Sequence, residues 1–252
     1  GPGQGPGPGP GTASSRLASL PDEGFDLVLS SGFLAFGAQC GVLDAVEELG
    51  LRPCVRAVVG TSSGSLAGSF WAAGLSADEV AHELSAKRPL GHMRPSLRPW
   101  RGIFYPSGMR RVLNRVLPPG FDESPVPVAV GCATVDGAPR LVFSGSLPDA
   151  VAASCSIPRI FTPAPVAGTE LVDGAAAGDR TFLGPWAAAV RAAGAPAAPA
   201  FVHLVDPTPA PKGLLPDVGG ACDGARPAAA GVDAVVVRSP RSRASFLSLG
   251  YF

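Results

Sequence analysis

The chain has 252 residues, with 20 basic and 20 acidic side chains and no formal net charge. Apolar residues make up 46% and charged residues 16%, and the 33 Gly and 28 Pro are about twice the usual combined share. The apolar content excludes disorder throughout, and glycine without a third-position period excludes collagen. No apolar run reaches the ~18 residues that span a bilayer, and the zero net charge argues against a nucleic-acid partner. The length suits one α/β domain of roughly 200 residues plus tails.

Eleven residues of near-pure Gly and Pro open the chain, so residues 1–22 are expected to be a flexible linker. The chain starts on Gly1, which reads as a fragment or processed form and leaves any targeting segment open. The domain is expected over 23–206. Asp26–Ser30 predicts a buried strand. Val42, Leu43, Val46 and Leu49 recur at helical spacing within 37–49, and Gly50 stops that helix. Val55–Val59 predicts a second buried strand ending at Gly60, and Ser65–Ala73 a helix of small residues. Ser76 and Glu79 form a capping box for a helix through about Ala86. Arg88–Pro106 reads as irregular, and Ser107 as the cap of a helix over Gly108–Leu117.

Val126–Val135 and Arg140–Phe143 read as a hairpin across Asp136-Gly137. A short helix at Pro148–Ser154, a strand ending at Asp173, a helix at Trp186–Ala193 and a strand at Phe201–Val205 follow. Residues 207–252 read as a loose Pro/Gly/Ala-rich segment with one last strand near Val232–Val237. Strands alternating with helices imply a mostly parallel sheet covered on both faces. The five cysteines (Cys40, Cys54, Cys132, Cys155 and Cys222) are odd in number and lack any metal-ligand spacing. They read as buried free thiols in a reducing compartment, and no metal is expected.

The strongest local signal is Gly60-Thr61-Ser62-Ser63-Gly64, a G-x-S-x-G between a predicted strand and a predicted helix. A serine on so sharp a turn needs almost no side chain two residues to either side, which Gly60 and Gly64 provide. The turn pushes the Ser62 hydroxyl out beside a helix N-terminus, where free N–H groups favour developing negative charge. A serine nucleophile needs a base. Asp173-Gly174-Ala175 ends a predicted strand downstream and is a candidate, although an isolated Asp-Gly also makes an ordinary turn.

Read together, five segments resemble the patatin-like phospholipase family. They are Leu27-Val28-Leu29-Ser30-Ser31-Gly32, Gly41-Val42-Leu43, Gly60-Thr61-Ser62-Ser63-Gly64, Ala153-Ser154-Cys155-Ser156-Ile157-Pro158 and Val172-Asp173-Gly174-Ala175. The resemblance covers 26 to about 206. It implies a three-layer α/β/α sandwich with a six-stranded sheet, and a serine lipid acyl hydrolase without a cofactor. It implies Ser62 as nucleophile, Asp173 as base, and an oxyanion held by backbone N–H groups of Gly32, Phe33 and Ser63. The family's Gly-rich loop, usually G-G-G-x-Arg/Lys-G, is here Ser31-Gly32-Phe33-Leu34-Ala35-Phe36. One glycine remains and the basic residue is Ala35. Phe33 does not readily adopt φ > 0, so weak or narrowly selective activity is an expectation.

Two alternatives accompany this reading. One is a catalytically impaired lipid-binding or scaffold protein that keeps the fold. The other is a triad in the order Ser62, Asp173, His203, although His203 sits within a predicted strand rather than on a loop. His82 and His92 receive no role. From Leu84 to Phe121 there is no acidic residue and eight basic ones, among them Lys87, Arg88, Arg94, Arg98 and Arg101, interleaved with Trp100, Phe104 and Tyr105. That mixture suits peripheral contact with an anionic membrane surface, unless the arginines pair with acids elsewhere, such as Glu47 and Glu48.

Overall fold

The structure is a computed structural model that describes residues 15–33, 35–85, 94–206 and 231–240. Ten strands and six helices lie in these segments: β1 (Phe25–Leu29), α1 (Phe36–Glu48), β2 (Val55–Thr61), α2 (Ser63–Ala72), α3 (Ala77–Ser85), β3 (Arg94–Pro95), β4 (Phe104–Tyr105), α4 (Ser107–Val116), β5 (Val128–Thr134), β6 (Pro139–Val142), α5 (Leu147–Ser154), β7 (Ala164–Val166), β8 (Thr169–Asp173), α6 (Leu183–Ala192), β9 (Ala200–Val205) and β10 (Ala234–Ser239). Eight strands form one sheet in the order β10-β9-β1-β2-β5-β8-β7, with β6 also on β5. This exceeds the six strands that the resemblance implied. The run from β10 to β5 is parallel, while β6, β8 and β7 are antiparallel.

Alternation along the strands builds two cores. Leu27, Leu29 and Val58 face one core, which Phe70, Trp71, Leu113 and Leu147 complete from α2, α4 and α5. Val28, Ala57 and Val59 face the other, filled by Leu183, Trp186 and Val190 of α6. The sheet therefore has helices on both faces, and the three-layer α/β/α sandwich is observed.

Buried polar knots fix the layers. Arg56 holds Asp26 through Nε and Nη2 at 3.1 and 3.2 Å, and the Trp186 indole donates to the same carboxylate at 2.7 Å. Glu47 accepts from Arg52 (2.6 Å), from the Trp71 indole (2.7 Å) and from the Ala77 N–H at the start of α3 (3.1 Å). The Ser76–Glu79 capping box is present, with bonds of 2.8 and 3.2 Å. So is the hairpin across Asp136-Gly137, where Gly137 has φ +89°.

Some elements differ from expectation. Residues 15–18, read as linker, form a helical turn, and Leu17 and Leu20 are buried against α6. Arg16 adds bonds to the carbonyls of Phe121 and Ser124. Two leucines and one arginine, spaced on one turn, outweigh the surrounding Gly/Pro composition. The stretch read as irregular contains the β3–β4 hairpin, Arg94↔Tyr105 and Pro95↔Phe104. Pro106, not Ser107, sits at the N-cap of α4, with no side-chain cap. Cys54 is an exposed thiol rather than a buried one. The loose segment at 207–230, residues 1–14, Lys87, Arg88, His92 and Cys222 lie outside the described residues.

Candidate active site

Strand register brings the site together. β2 pairs with β5 up to Thr61↔Gly131, and β8 pairs with the next position, Asp173↔Cys132. β6 overlaps both registers on β5, so β2 and β8 share its other edge. β2 runs parallel to β5 and β8 antiparallel, and their C-terminal ends therefore meet head-on. Ser62 follows one end and Asp173 is the other.

Ser62 has φ 53° and ψ −121°, a conformation that L side chains rarely adopt. Its backbone is gripped from several sides. The Ser62 N–H donates to the Ser154 hydroxyl (2.8 Å), which itself donates to the Gly131 carbonyl (2.6 Å). The Ser62 carbonyl accepts from the Ser65 hydroxyl (2.7 Å) and the Cys155 thiol (3.4 Å). Close approach demands both motif glycines. A Cβ on Gly64 would lie 2.2 Å from the Leu29 carbonyl oxygen, and one on Gly60 would lie 2.5 Å from the Ser65 Cα.

Asp173 is 4% exposed. Burial raises its carboxyl from the usual 3.8 to about 6, opposed by the neighbouring Ser62 hydroxyl, the Ala175 N–H and the Arg180 charge. The Ala175 N–H bond is 2.9 Å. Gly174 begins the short 3₁₀ turn that supplies this donor, packed against the Gly131 carbonyl. Burial also pushes the nearby Cys132 and Cys155 thiols up, and the Asp173 charge adds to both.

Gly32 and Ser63 lie together. The Ser63 hydroxyl donates to the Gly32 carbonyl at 2.7 Å, and Gln39 donates to Ser63 Oγ at 3.1 Å and to the Ser30 carbonyl at 2.8 Å. Ser63 opens α2, so its N–H has no intrahelical acceptor. Neither Gly32 nor Phe33 has positive φ. The objection that Phe33 cannot adopt a glycine conformation therefore falls away. Gly32 is needed for space instead, since a Cβ there would meet Ala35 and Val205 Cβ atoms at 2.8 and 2.9 Å.

Arg180 was not singled out by sequence. It is 8% exposed and clamps the loop after β1: Nη2 donates to the carbonyls of Ser31 and Val205, both at 2.5 Å, Nε donates to Ser31 Oγ at 3.2 Å, and the Ser31 N–H returns a bond to the Arg180 carbonyl at 3.0 Å. No local pattern announces it, because its partners sit at the ends of β1 and β9.

His203 is fully buried in β9, its Nε2 2.8 Å from Ser239 Oγ and its Nδ1 without a partner. β1 lies between β9 and β2, and the groups that act on Asp173 do not include the imidazole. Burial lowers its pKa. Among the described residues no cluster of three or more His, Cys, Asp or Glu could hold a metal, and no helix is long and apolar enough to cross a membrane.

These features define a nucleophile-elbow α/β protein. The chain belongs to the patatin-like phospholipase family, whose sequence profile matches residues 27–190. Two solved structures are similar at low identity. VipD from Legionella pneumophila is 15% identical, with 61% of this chain and 46% of that one covered and a TM-score of 0.41. The type III effector protein ExoU is 15% identical, with 92% and 49% covered and a TM-score of 0.39. The chain spans about half the length of each.

Proposed function

We propose that this protein is a serine lipid acyl hydrolase that cleaves esters of phospholipids or acylglycerols through Ser62 and Asp173. The observation that carries the reading is the strained Ser62 elbow facing a buried carboxylate whose pKa lies near 6. At neutral pH that carboxylate is ionised yet more basic than an exposed one, which suits a general base. The Ser62 hydroxyl attacks the ester carbonyl carbon while Asp173 accepts its proton. The N–H groups of Ser63 and the Gly32–Phe33 loop stabilise the oxyanion. Asp173 returns the proton to the departing alkoxide, leaving Ser62 acylated. Water then attacks the acyl-enzyme, its proton passing to Asp173 and on to Ser62. A Ser–Asp pair is preferred to a triad because His203 engages Ser239.

A fluorophosphonate probe tests this. It is expected to label the wild-type protein and the Ser63→Ala variant but not Ser62→Ala. Labelling retained in Ser62→Ala would move the nucleophile to another residue, and no labelling of folded wild type would overturn the reading in favour of a catalytically silent lipid-binding protein.

A further inference from the structure

The hairpin of β3 and β4 is built unlike the rest of the surface. Its base is stitched to the segment that follows α5. Ile103 N–H donates to the Arg159 carbonyl (3.2 Å), Phe104 N–H to Ile160 (2.8 Å) and Thr162 N–H to Phe104 (2.9 Å). Phe104 and Phe161 pack with ring centroids 6.4 Å apart. Gly102 lies so close to this segment that a Cβ would sit 2.3 Å from the Phe161 carbonyl carbon. The anchoring segment begins a few residues after Ser154 and Cys155, which bond the Ser62 backbone. The hairpin is thus fixed at its root, close in the chain to the elbow.

Its outer part is apolar and uncovered. Leu97 is 87% exposed, Trp100 78% and Ile103 47%. Single exposed apolar residues are ordinary, but three within seven positions on one turn form a patch. An open cleft of about 510 Å³ adjoins it, lined by Leu97 of the patch, by Arg98, Arg101 and Arg110, and by Asp149 and Glu170. Arg101 pairs with Glu170 at 2.6 Å and Arg110 with Asp149 at 3.4 Å. Arg98 carries no ion pair among the described residues, so three cations face two carboxylates and the cleft keeps a net positive charge. An amphipathic aromatic beside apolar residues and cations matches the layering of a lipid surface, with anionic headgroups outside and acyl chains within.

We infer that the β3–β4 hairpin is an interfacial anchor for anionic lipid bilayers, its Leu97 and Trp100 tip entering the acyl boundary while the arginine-lined cleft beside it receives a lipid headgroup. The inference rests on the hydrolase reading, since an enzyme acting on lipid aggregates must first dock on them.

Tryptophan fluorescence isolates the tip. The chain has three tryptophans, and Trp71 and Trp186 are buried at 0% and 1% exposure, so Trp100 alone reports the surface. Phosphatidylcholine vesicles with and without phosphatidylserine are added to the Ser62→Ala protein, which does not consume them. Emission is expected to shift to the blue with phosphatidylserine present, and Trp100→Phe to abolish the shift. Arg98→Gln is expected to weaken sedimentation with these vesicles about fivefold, and raising salt from ~0.1 M to ~1 M to weaken it further. Both residues are exposed, and circular dichroism checks that the variants fold. Equal binding to neutral and anionic vesicles, or binding without a Trp100 shift, would overturn the anchor. Fluorophosphonate labelling in solution separates the two readings. Labelled protein that ignores vesicles loses the anchor alone, and unlabelled protein that binds them loses the hydrolase alone.

Discussion

Two half-buried serines of the sheet region each lie against a buried titratable group, and the two pairs differ in instructive ways. At the β9–β10 edge, His203 Nε2 lies 2.8 Å from Ser239 Oγ, an arrangement that by distance alone suggests an activated hydroxyl. At the junction of β2 and β8, Ser62 faces Asp173 instead. Ser239 ends a regular strand, and His203 Nδ1 has no carboxylate to hold its tautomer. Ser62 stands on a strained turn at a helix N-terminus, where N–H groups of the first helical turn can donate to a developing negative charge. Nearness to a base is thus common to both pairs. The turn, the helix end and the clamped loop belong to one alone.

The largest test of that contrast is Asp173→Asn. Hydrolysis is expected to fall by ~10²–10⁴, the usual contribution of a general base. In the wild type, kcat/KM is expected to rise with pH through about 6, as the buried carboxylate ionises. Stability runs the other way. The folded pKa lies above the unfolded 3.8, so the group favours folding at low pH, and this is lost as pH rises toward 6. Asp173→Asn is therefore expected to stabilise the fold at neutral pH by on the order of 3 kcal/mol and so to raise Tm, with the gain vanishing below about pH 4. Thermal melts across pH check the sign.

Next in size is Arg180→Gln, which loosens the Ser31 carbonyl and removes a cation that favours ionised Asp173. A misplaced loop is expected to lower kcat by up to ~10² with KM little changed. The acid limb of the pH profile is expected to move upward. Arg180→Lys is expected to restore the limb more than the rate, because an ammonium cannot fork between the Ser31 and Val205 carbonyls. A purely structural role would leave the limb where it was.

The smallest effect falls on the other pair. His203→Ala is expected to cost about 1–3 kcal/mol of stability, measured by denaturant melts, while activity of the folded protein changes less than about threefold. A larger loss of rate would bring the triad back.

Much of the elbow and of the fold was legible in the sequence because it is written locally. Gly60 and Gly64 mark a turn, Ser76 and Glu79 a capping box, and Asp136-Gly137 a hairpin. What escaped depends on distant convergence. Arg180 matters through Ser31 and Val205, far away in the chain. The β3–β4 hairpin hides among prolines, and Leu17 and Leu20 hide behind a Gly/Pro tract. The antiparallel direction of β8 was hidden too, since a short buried strand reads alike in either sense. The departure at Phe33 pointed to weak or narrowly selective activity because a glycine was presumed to serve conformation, whereas at Gly32 the glycine serves space.

On the proposed mechanism, the head-on meeting of β2 and β8 also makes activity a measure of correct assembly. Ser62 and Asp173 are more than a hundred residues apart in the chain, and the Thr61↔Gly131 and Asp173↔Cys132 registers on β5 bring them together. Slipping β8 by one residue against β5 would turn the carboxylate to the opposite face. Such a chain would keep its compactness and most of its secondary structure, yet be silent. Regained turnover during refolding would then time the closing of that one strand edge, an event that spectroscopy of the bulk sheet would pass over.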